Sequence, residues 1–368
     1  MLKVLYDHQC FSYQEYGGVS RYFIELIKHI KLSGNAQSEL ALKYSNNQYL
    51  EELKEINSKS FLKGKKFTGK TTLLNFLNKR SSKKQIRKGN FDIFHPTYYD
   101  PYFLKEISSK PFVITVYDMT HEIFPDSVNK FDKTAENKKI LVDKSKKIIA
   151  ISENTKKDLI RILNVPSEKV EVIYLASSLK KATGLDKTYL NLPDRYILYV
   201  GSRKYYKNFK NALLAFEELV KNDDNLFLVC SGGGKFGREE LGLFKSKNLM
   251  SKILYRPADD ISLSILYSNA LTFLFPSFYE GFGIPVLEAM NCDCPLALSN
   301  VSSLPEIGAD AANYFDPYDY MDICNTLSSI IYNNSNREKL IEAGRKRRIN
   351  FSWIKTTNET IKLYEKII

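Results

Sequence analysis

The chain has 368 residues, of which 43% are apolar and 13% aromatic, and it carries a formal net charge of +12. That composition excludes a disordered chain, and the length exceeds what one hydrophobic core holds, so two domains are expected. No apolar run reaches the roughly 18 to 20 residues of a bilayer-spanning helix, and the opening MLKVLYD lacks a signal-peptide layout; both point to a packed protein that stays in the cytoplasm.

LKVLYD reads as a first buried strand, and QEYGGVSRYFIELIKHI as a glycine turn opening an amphipathic helix with Phe23, Leu26, Ile27 and Ile30 at helical spacing. Gly17 and Gly18 thus stand at a strand-to-helix crossing that can admit a phosphate or an acceptor sugar, although the full G-x-G-x-x-G fingerprint is absent. Between Lys59 and Lys88 there are eleven Lys or Arg and no Asp or Glu, nearly the whole charge excess. Within this stretch Gly64 to Thr71 matches the P-loop expression, but no buried strand precedes it, so a nucleotide site is rejected there. What remains is a basic stretch interleaved with Phe61, Phe67, Leu73, Leu74, Phe76 and Leu77, part of it long enough for a short amphipathic helix. It suits peripheral contact with an anionic membrane surface, a solvated loop, or binding of another polyanion.

FDIFHP and PFVITVYD read as further parallel strands ending at His95 and at Tyr117–Asp118, with His121 and Glu122 close behind; for His95 a structural role is expected. KKIIAIS is another strand, ENTKKDLIRILN a helix capped by Ser152 or Asn154, and VEVIYLA closes the first half. Residues 177–194 are polar and without periodicity and read as a linker. The α/β pattern restarts with RYILYVG, whose loop carries Gly201, Ser202, Arg203 and Lys207; two cations there suit a diphosphate. NLFLVCSGGG is the next strand and glycine turn, where Gly232 to Gly234 leave room for a nucleotide. ILYRP precedes a helix capped by Asp259 or Asp260, and FSWIKTTNETIKLYEKII closes the chain as an amphipathic helix. The five cysteines, Cys10, Cys230, Cys292, Cys294 and Cys324, are odd in number and sit mostly in apolar surroundings, which predicts reduced thiols and no metal site.

The most informative stretch is LTFLFPSFYEGFGIPVLE, residues 271–288. A buried strand ends at Pro276, and a turn with Glu280, Gly281, Phe282 and Gly283 leads through Ile284 into a helix with Pro285 expected at its first position. The amino end of that helix lies where open α/β sheets bind anions. Glu280 and Glu288, eight positions apart, flank it, and carboxylates accept paired bonds from sugar hydroxyls; helix-dipole compensation and a solvated loop are the plainer roles for the two acids.

The phrase FPSFYEGFGIPVLEAM, continued through CDCPLALSNVSSLPEIGADAANYFDP, resembles the donor-site signature of retaining family 4 glycosyltransferases with the GT-B fold. The resemblance covers essentially the whole chain. It implies an α/β GT-B architecture, two facing Rossmann-like domains with a cleft between them: 1–176 as acceptor-binding domain, with 352–368 packing back on it, and 177–351 as donor-binding domain. By the same likeness Glu280 touches the transferred sugar, the amides of Gly281 to Gly283 meet sugar and phosphate, Glu288 holds the ribose, Arg203 and Lys207 hold the donor phosphates, and Tyr255 and Arg256 lie near the base. The N-terminal loop with Gly17, Gly18 and Arg21 resembles the family's too. Where the family often has His-Asp, this chain has Tyr117–Asp118, a departure at the acceptor side.

The reading is a retaining hexosyltransferase acting on a nucleotide diphosphate sugar and a hydroxyl of a glycan, lipid-linked and destined for surface polysaccharide. No D-x-D occurs, so no metal or other cofactor is expected, and nucleic acid is not an expected partner. The phrases YGGVSRYF and YDMTHEIFPD look most like mannosyltransferases of O-antigen assembly, which tilts the donor to GDP-mannose, and the basic residues 59–88 suit a place of work in the cytoplasm at the inner face of the cytoplasmic membrane. Alternatives are another GT-B enzyme, a nucleotide-sugar epimerase or hydrolase, or a non-enzymatic polyanion binder using residues 59–88.

Overall fold

The computed structural model describes all residues except 54–57, 66, 185–186, 204 and 258. The chain divides into two compact units, Met1–Leu175 with Ser352–Ile368, and Ala176–Phe351.

The first unit carries strands β1 (Leu2–Asp7), β2 (Ala36–Ala41), β3 (Ile93–His95), β4 (Val113–Val116), β5 (Lys147–Ala150) and β6 (Val170–Val172). They pair in parallel as β2-β1-β3 and β4-β5-β6, and one parallel bridge, Phe94 with Phe112, joins the two runs. In β1 Val4 to Asp7 are buried in succession, as expected of a sheet covered on both faces. β2 reads AQSELA, too polar to announce itself; it is an edge strand with only its ends buried. The helix Gly18–Ser33 buries Phe23, Leu26, Ile27 and Ile30 as their spacing requires, and ends at Gly34 in the left-handed region. Ser152 is the cap of the helix Glu153–Leu163, accepting the Thr155 N–H at 3.0 Å.

The basic stretch forms a 19-residue helix, Lys70–Lys88, longer than its sparse apolar content suggests. It buries Leu74, Asn78, Ser82 and Ile86, one residue every four, so half of the packed stripe is polar and amphipathicity alone understates it. Asn78 explains why: its amide binds Tyr44 O at 2.7 Å and Ser12 Oγ at 2.9 Å. Lys70 of the P-loop-like phrase, of which Lys66 is outside the described residues, donates to the carbonyls of Leu62 and Lys65 and so closes its own turn.

The final helix, Trp353–Glu365, belongs to this unit. Its Tyr364 hydroxyl lies 2.6 Å from His95 Nδ1 and 3.1 Å from the Tyr6 hydroxyl, while His95 Nε2 meets Thr115 Oγ1 at 3.0 Å. His95 is therefore a core histidine, and burial lowers its pKa to about 3. A histidine whose folded pKa lies below its unfolded value of about 6.5 binds fewer protons than the unfolded chain between those two values, so its contribution is complete above pH 6.5 and falls with acid. Urea denaturation is expected to show wild type losing up to about 1.4 kcal/mol per pH unit below 6.5 relative to His95→Asn, a steepness the variant lacks.

The second unit is one parallel sheet of six strands, β7 (Tyr196–Val200), β8 (Phe227–Ser231), β9 (Ile253–Arg256), β10 (Thr272–Phe275), β11 (Leu296–Ser299) and β12 (Ala312–Phe315), in the order β12-β11-β10-β7-β8-β9. The order reverses between β7 and β10, which opens a crevice at the carboxyl ends of those two strands. Helices Phe209–Val220 and Tyr320–Ile331 cover the sheet with Leu213, Phe216, Ile323 and Leu327. Residues 177–194, read as the linker, are tied to this unit: Ala182 N donates to Ser264 Oγ at 2.6 Å, Asn291 to Leu179 O at 3.0 Å, and Leu179 and Leu192 are buried. Leu185 and Asp186 of that stretch are outside the described residues. Every cysteine is buried and free of a disulfide. No helix among the described residues is long and apolar enough to cross a membrane.

Candidate functional site

The loops that leave β7 and β10 border the reversal point, and they are stitched together. Phe278 N donates to Tyr206 O at 2.8 Å, and Asn208, itself at φ 55°, reaches Pro276 O at 3.0 Å and Pro317 O at 2.7 Å through its amide. This brings Lys207 to Glu280: Nζ stands 2.6 Å from Oε1, with the two side chains 18% and 11% exposed. Ser277 Oγ donates to the same oxygen at 2.6 Å. The ammonium also lies over the Phe275 ring at 5.6 Å.

The Glu280–Gly283 turn is held from below by Ser302 and Ser303. Glu280 N donates to Ser302 Oγ at 3.0 Å, and the Ser303 hydroxyl reaches the carbonyls of Glu280 at 2.9 Å and Phe282 at 3.0 Å. Gly283 has φ 100°, where side chains are strained, and an added Cβ would stand 3.0 Å from Leu304 Cδ2. The helix Ile284–Asn291 follows with Gly283 as its cap, so Pro285 is its second residue and not its first. Glu280 lies in the turn that leads into this helix, and Glu288 lies one turn in, accepting from the Tyr267 hydroxyl at 3.2 Å.

Arg203 and Lys207 pair with different carboxylates, Glu240 and Glu280. The Arg203 guanidinium is drawn into the loop after β8, where it pairs with Glu240, donates to Gly232 O at 3.0 Å and Gly234 O at 2.9 Å, and lies over the Phe236 ring at 5.0 Å. Gly201 has φ 133° and its N–H binds Ser231 O at 2.8 Å, so the turns after β7 and β8 touch, and Ser202 O accepts from the Tyr199 hydroxyl at 2.8 Å. Tyr255 and Arg256 end the edge strand β9; Arg256 spends its guanidinium on the carbonyls of Leu190, Asn191 and Tyr255.

The other expected residues belong to the first unit. Gly17 caps the helix Gly18–Ser33 while the Gln14 amide oxygen takes the Ser20 N–H at 3.0 Å, and Arg21 pairs with Glu52 and Glu25. Tyr117 and Asp118 follow β4. The Tyr117 N–H donates to the Tyr99 hydroxyl at 3.1 Å, its ring stacks on Tyr98, and burial raises its pKa, which keeps the hydroxyl neutral. Asp118 Oδ1 accepts the Thr120 N–H at 2.9 Å. Lys138, a buried lysine that sequence patterning did not single out, fixes this loop by donating to Asp118 O at 2.8 Å and to Glu122 at 2.9 Å. Ser302, Ser303 and Lys138 carried no local signal, since each acts on a loop some 20 residues away in sequence. Glu240 did carry one: it is the third residue of its helix and accepts the Gly237 N–H at 2.7 Å, a capping-box position.

Residues 16–177 match the family model described as Glycosyltransferase Family 4, and residues 183–347 the one described as Glycosyl transferases group 1. Among curated proteins, O-antigen chain mannosyltransferase B of Escherichia coli is 27% identical over 371 residues, covering 95% of this chain and 96% of that protein. O-antigen chain mannosyltransferase RfbU of Salmonella typhimurium is 29% identical over 56% of this chain and 57% of its own length. Among solved structures, sucrose-phosphate synthase from Thermosynechococcus elongatus superposes with TM-score 0.78 at 16% identity, over 100% of this chain and 99% of that one. Anabaena HepE in complex with UDP and glucose gives 0.76 at 15% identity, over 100% of both chains.

Proposed function

The chain belongs to the family 4, group 1 glycosyltransferases and has their GT-B fold, and from that premise we propose that it transfers mannose, with retention of configuration, from GDP-mannose to a hydroxyl of a lipid-linked glycan in O-antigen-type polysaccharide synthesis. The observation that carries this reading is the Lys207–Glu280 pair, set by two stitched loops at the reversal of strand order, with Glu280 in the turn that leads into the helix Ile284–Asn291. A diphosphate seated there meets an ammonium and helix N–H groups, which stabilise the charge that develops on the leaving nucleotide. Glu280 then exchanges its ammonium for a hydroxyl of the transferred sugar, the amides of Gly281 to Ile284 line sugar and phosphate, and Glu288 takes the ribose. Gly201, Ser202, Tyr255 and Arg256 form the wall on the nucleotide side.

In the reaction the bond from the anomeric carbon to the β-phosphate oxygen breaks and its electron pair stays on the phosphate. The acceptor oxygen bonds to that carbon from the same face, and its proton passes to the departing phosphate oxygen. No carboxylate is assigned as nucleophile, because Glu280 and Glu288 bind hydroxyls. Acceptor-side contacts fall to Gly17, Gly18, Tyr117 and Asp118, with the Tyr117 hydroxyl a hydrogen-bonding group and not a base. The chemistry needs no metal, and transfer is expected to survive EDTA.

Incubation with GDP-mannose, UDP-glucose and UDP-galactose, with and without lipid-linked acceptor, tests the reading; release of nucleotide that does not depend on acceptor, or a product of inverted anomeric configuration, overturns it. Glu288→Ala is expected to remove most of the thermal stabilisation that GDP gives, about 2.7 kcal/mol at 100 times Kd, beyond the lower melting point without nucleotide that follows from leaving the buried Tyr267 hydroxyl without this acceptor.

Membrane contact rests on Leu62, Phe67, Leu73 and Phe76, which are 42 to 55% exposed among the cations of residues 59–88. Three of those cations are neutralised within the unit, Lys79 by Asp100, and Lys83 and Arg87 by Glu106. Exposed basic residues near an anionic leaflet contribute about 1 kcal/mol each, and the apolar side chains add their burial. The protein is expected to float with vesicles containing anionic lipid and not with neutral ones; a failure to float with either ends the membrane assignment.

A further inference from the structure

Arg203 sits at the centre of the loop that follows β8. Its side chain is 5% exposed. Around the guanidinium are gathered the carbonyls of Gly232, Gly234 and Lys235, the Phe236 ring and the Glu240 carboxylate. Glu240 is fixed in turn by the Gly237 N–H at the start of its own helix.

Three successive glycines, 232 to 234, have φ of 79°, 66° and 82°. At Gly233 an added Cβ would stand 2.8 Å from Gly201 O and 2.9 Å from Ser202 Cα, both backbone atoms that cannot yield. The Arg203 guanidinium lies 3.1 Å from the same added Cβ, so the turn is packed on Arg203 and on the backbone of the β7 loop that carries it.

No cis peptide occurs among the described residues. In a trans peptide the N–H points opposite to the C=O of the same unit. The carbonyls of Gly232, Gly234 and Lys235 aim at Arg203, so the N–H groups of Gly233, Lys235 and Phe236 aim away from it. Among the described residues none of these three N–H groups has a hydrogen-bond partner, and Gly233 and Lys235 are exposed. Backbone N–H groups of one turn that are turned outward and not used by the protein can receive an anion.

We infer that Arg203 and Glu240 are positioning residues whose shared task is to preset the 232–236 turn, so that its outward N–H groups receive a phosphate of the nucleotide. The assignment rests on the donor reading given above and alters one part of it: the arginine charge is already balanced by Glu240, and Arg203 acts on the donor through the turn and not by contact.

Lysine keeps the charge at this position but lacks the planar fork that spans several carbonyls and lies flat on a ring. Arg203→Lys is therefore expected to weaken GDP binding, measured by calorimetry, about 10-fold, nearly as much as Arg203→Ala. Gly233→Ala is expected to do the same without any change of charge. Because both substitutions disable one turn, the double variant Arg203→Ala/Gly233→Ala should bind within about threefold of either single variant. Donor KM should rise while kcat stays within about threefold of wild type. Hydrogen exchange of wild type reads the same site without substitution: the amides of Gly233, Lys235 and Phe236 should exchange fast in the free protein and slow with GDP bound.

Retained affinity in Arg203→Lys, multiplying losses in the double variant, a fall in kcat at unchanged donor KM, or unaltered exchange of those three amides would each overturn the assignment. If wild type bound neither GDP nor UDP, the donor reading itself would fall; if wild type binds and the variants behave as in the preceding sentence, only the role of Arg203 and Glu240 falls.

Discussion

Lys207→Ala is expected to lower kcat by about 100- to 1,000-fold, the usual loss when one preset charge-stabilising group is removed from a water-poor site, with acceptor KM little altered. The argument is one of timing. In the free protein the ammonium is balanced by Glu280 at 2.6 Å, and both side chains are more than four-fifths covered. When the bond to the sugar breaks, a full charge gathers on the departing phosphate, and Lys207 is a cation that the fold holds against Glu280, in the turn that leads into the helix Ile284–Asn291. A group whose interaction grows only as the bond breaks affects turnover more than binding. Steady-state kinetics with saturating donor checks this, and a variant with wild-type turnover removes Lys207 from the chemistry. A melting curve separates the effect from unfolding, since Glu280 would keep its Ser277 partner.

Glu280→Gln is expected to lower kcat/KM for the donor by about 100-fold, a drop close to that of Lys207→Ala but differently composed. The amide keeps the size of the side chain and one acceptor atom, yet it can no longer pair with an ammonium, and charge-assisted hydrogen bonds are roughly twice as strong as neutral ones. With the Glu280 charge gone, Lys207 keeps more of its own charge for the diphosphate, before reaction as well as during it. Nucleotide affinity should therefore hold or increase while turnover falls. A parallel loss of GDP affinity and turnover would show that Glu280 orders the loop and does not touch the sugar. The pair is one unit, so the effects of the two single substitutions should not add.

Much of the fold is legible from short apolar runs. YILYV, FLVCS and TFLF are buried from end to end or nearly so and became β7, β8 and β10, because a strand covered on both faces needs no alternation. The EGFG turn is legible for the opposite reason, since φ 100° at Gly283 leaves little choice of residue. Less legible was everything that depends on distant partners. β2 is an edge strand with a polar sequence, the helix Lys70–Lys88 packs through Asn78 and Ser82, and residues 177–194 have no periodicity because they are held by Ser264 and Asn291 and not by a stripe of their own. Arg203 shows the limit of spacing most plainly. Four positions from Lys207 and in the same loop, it pairs with a different carboxylate, 37 residues further on.

The first unit takes residues from both ends of the chain, and Tyr364 from the far end completes the hydrogen bonds of His95 in its core. During synthesis on a ribosome, residues 1–175 emerge first but must wait with that histidine half-served until 352–368 have been made. The uninterrupted second unit has every partner it needs as soon as residue 351 leaves the exit tunnel. The half translated second therefore has the opportunity to fold first, and the earlier half is sealed only once residues 352–368 have followed.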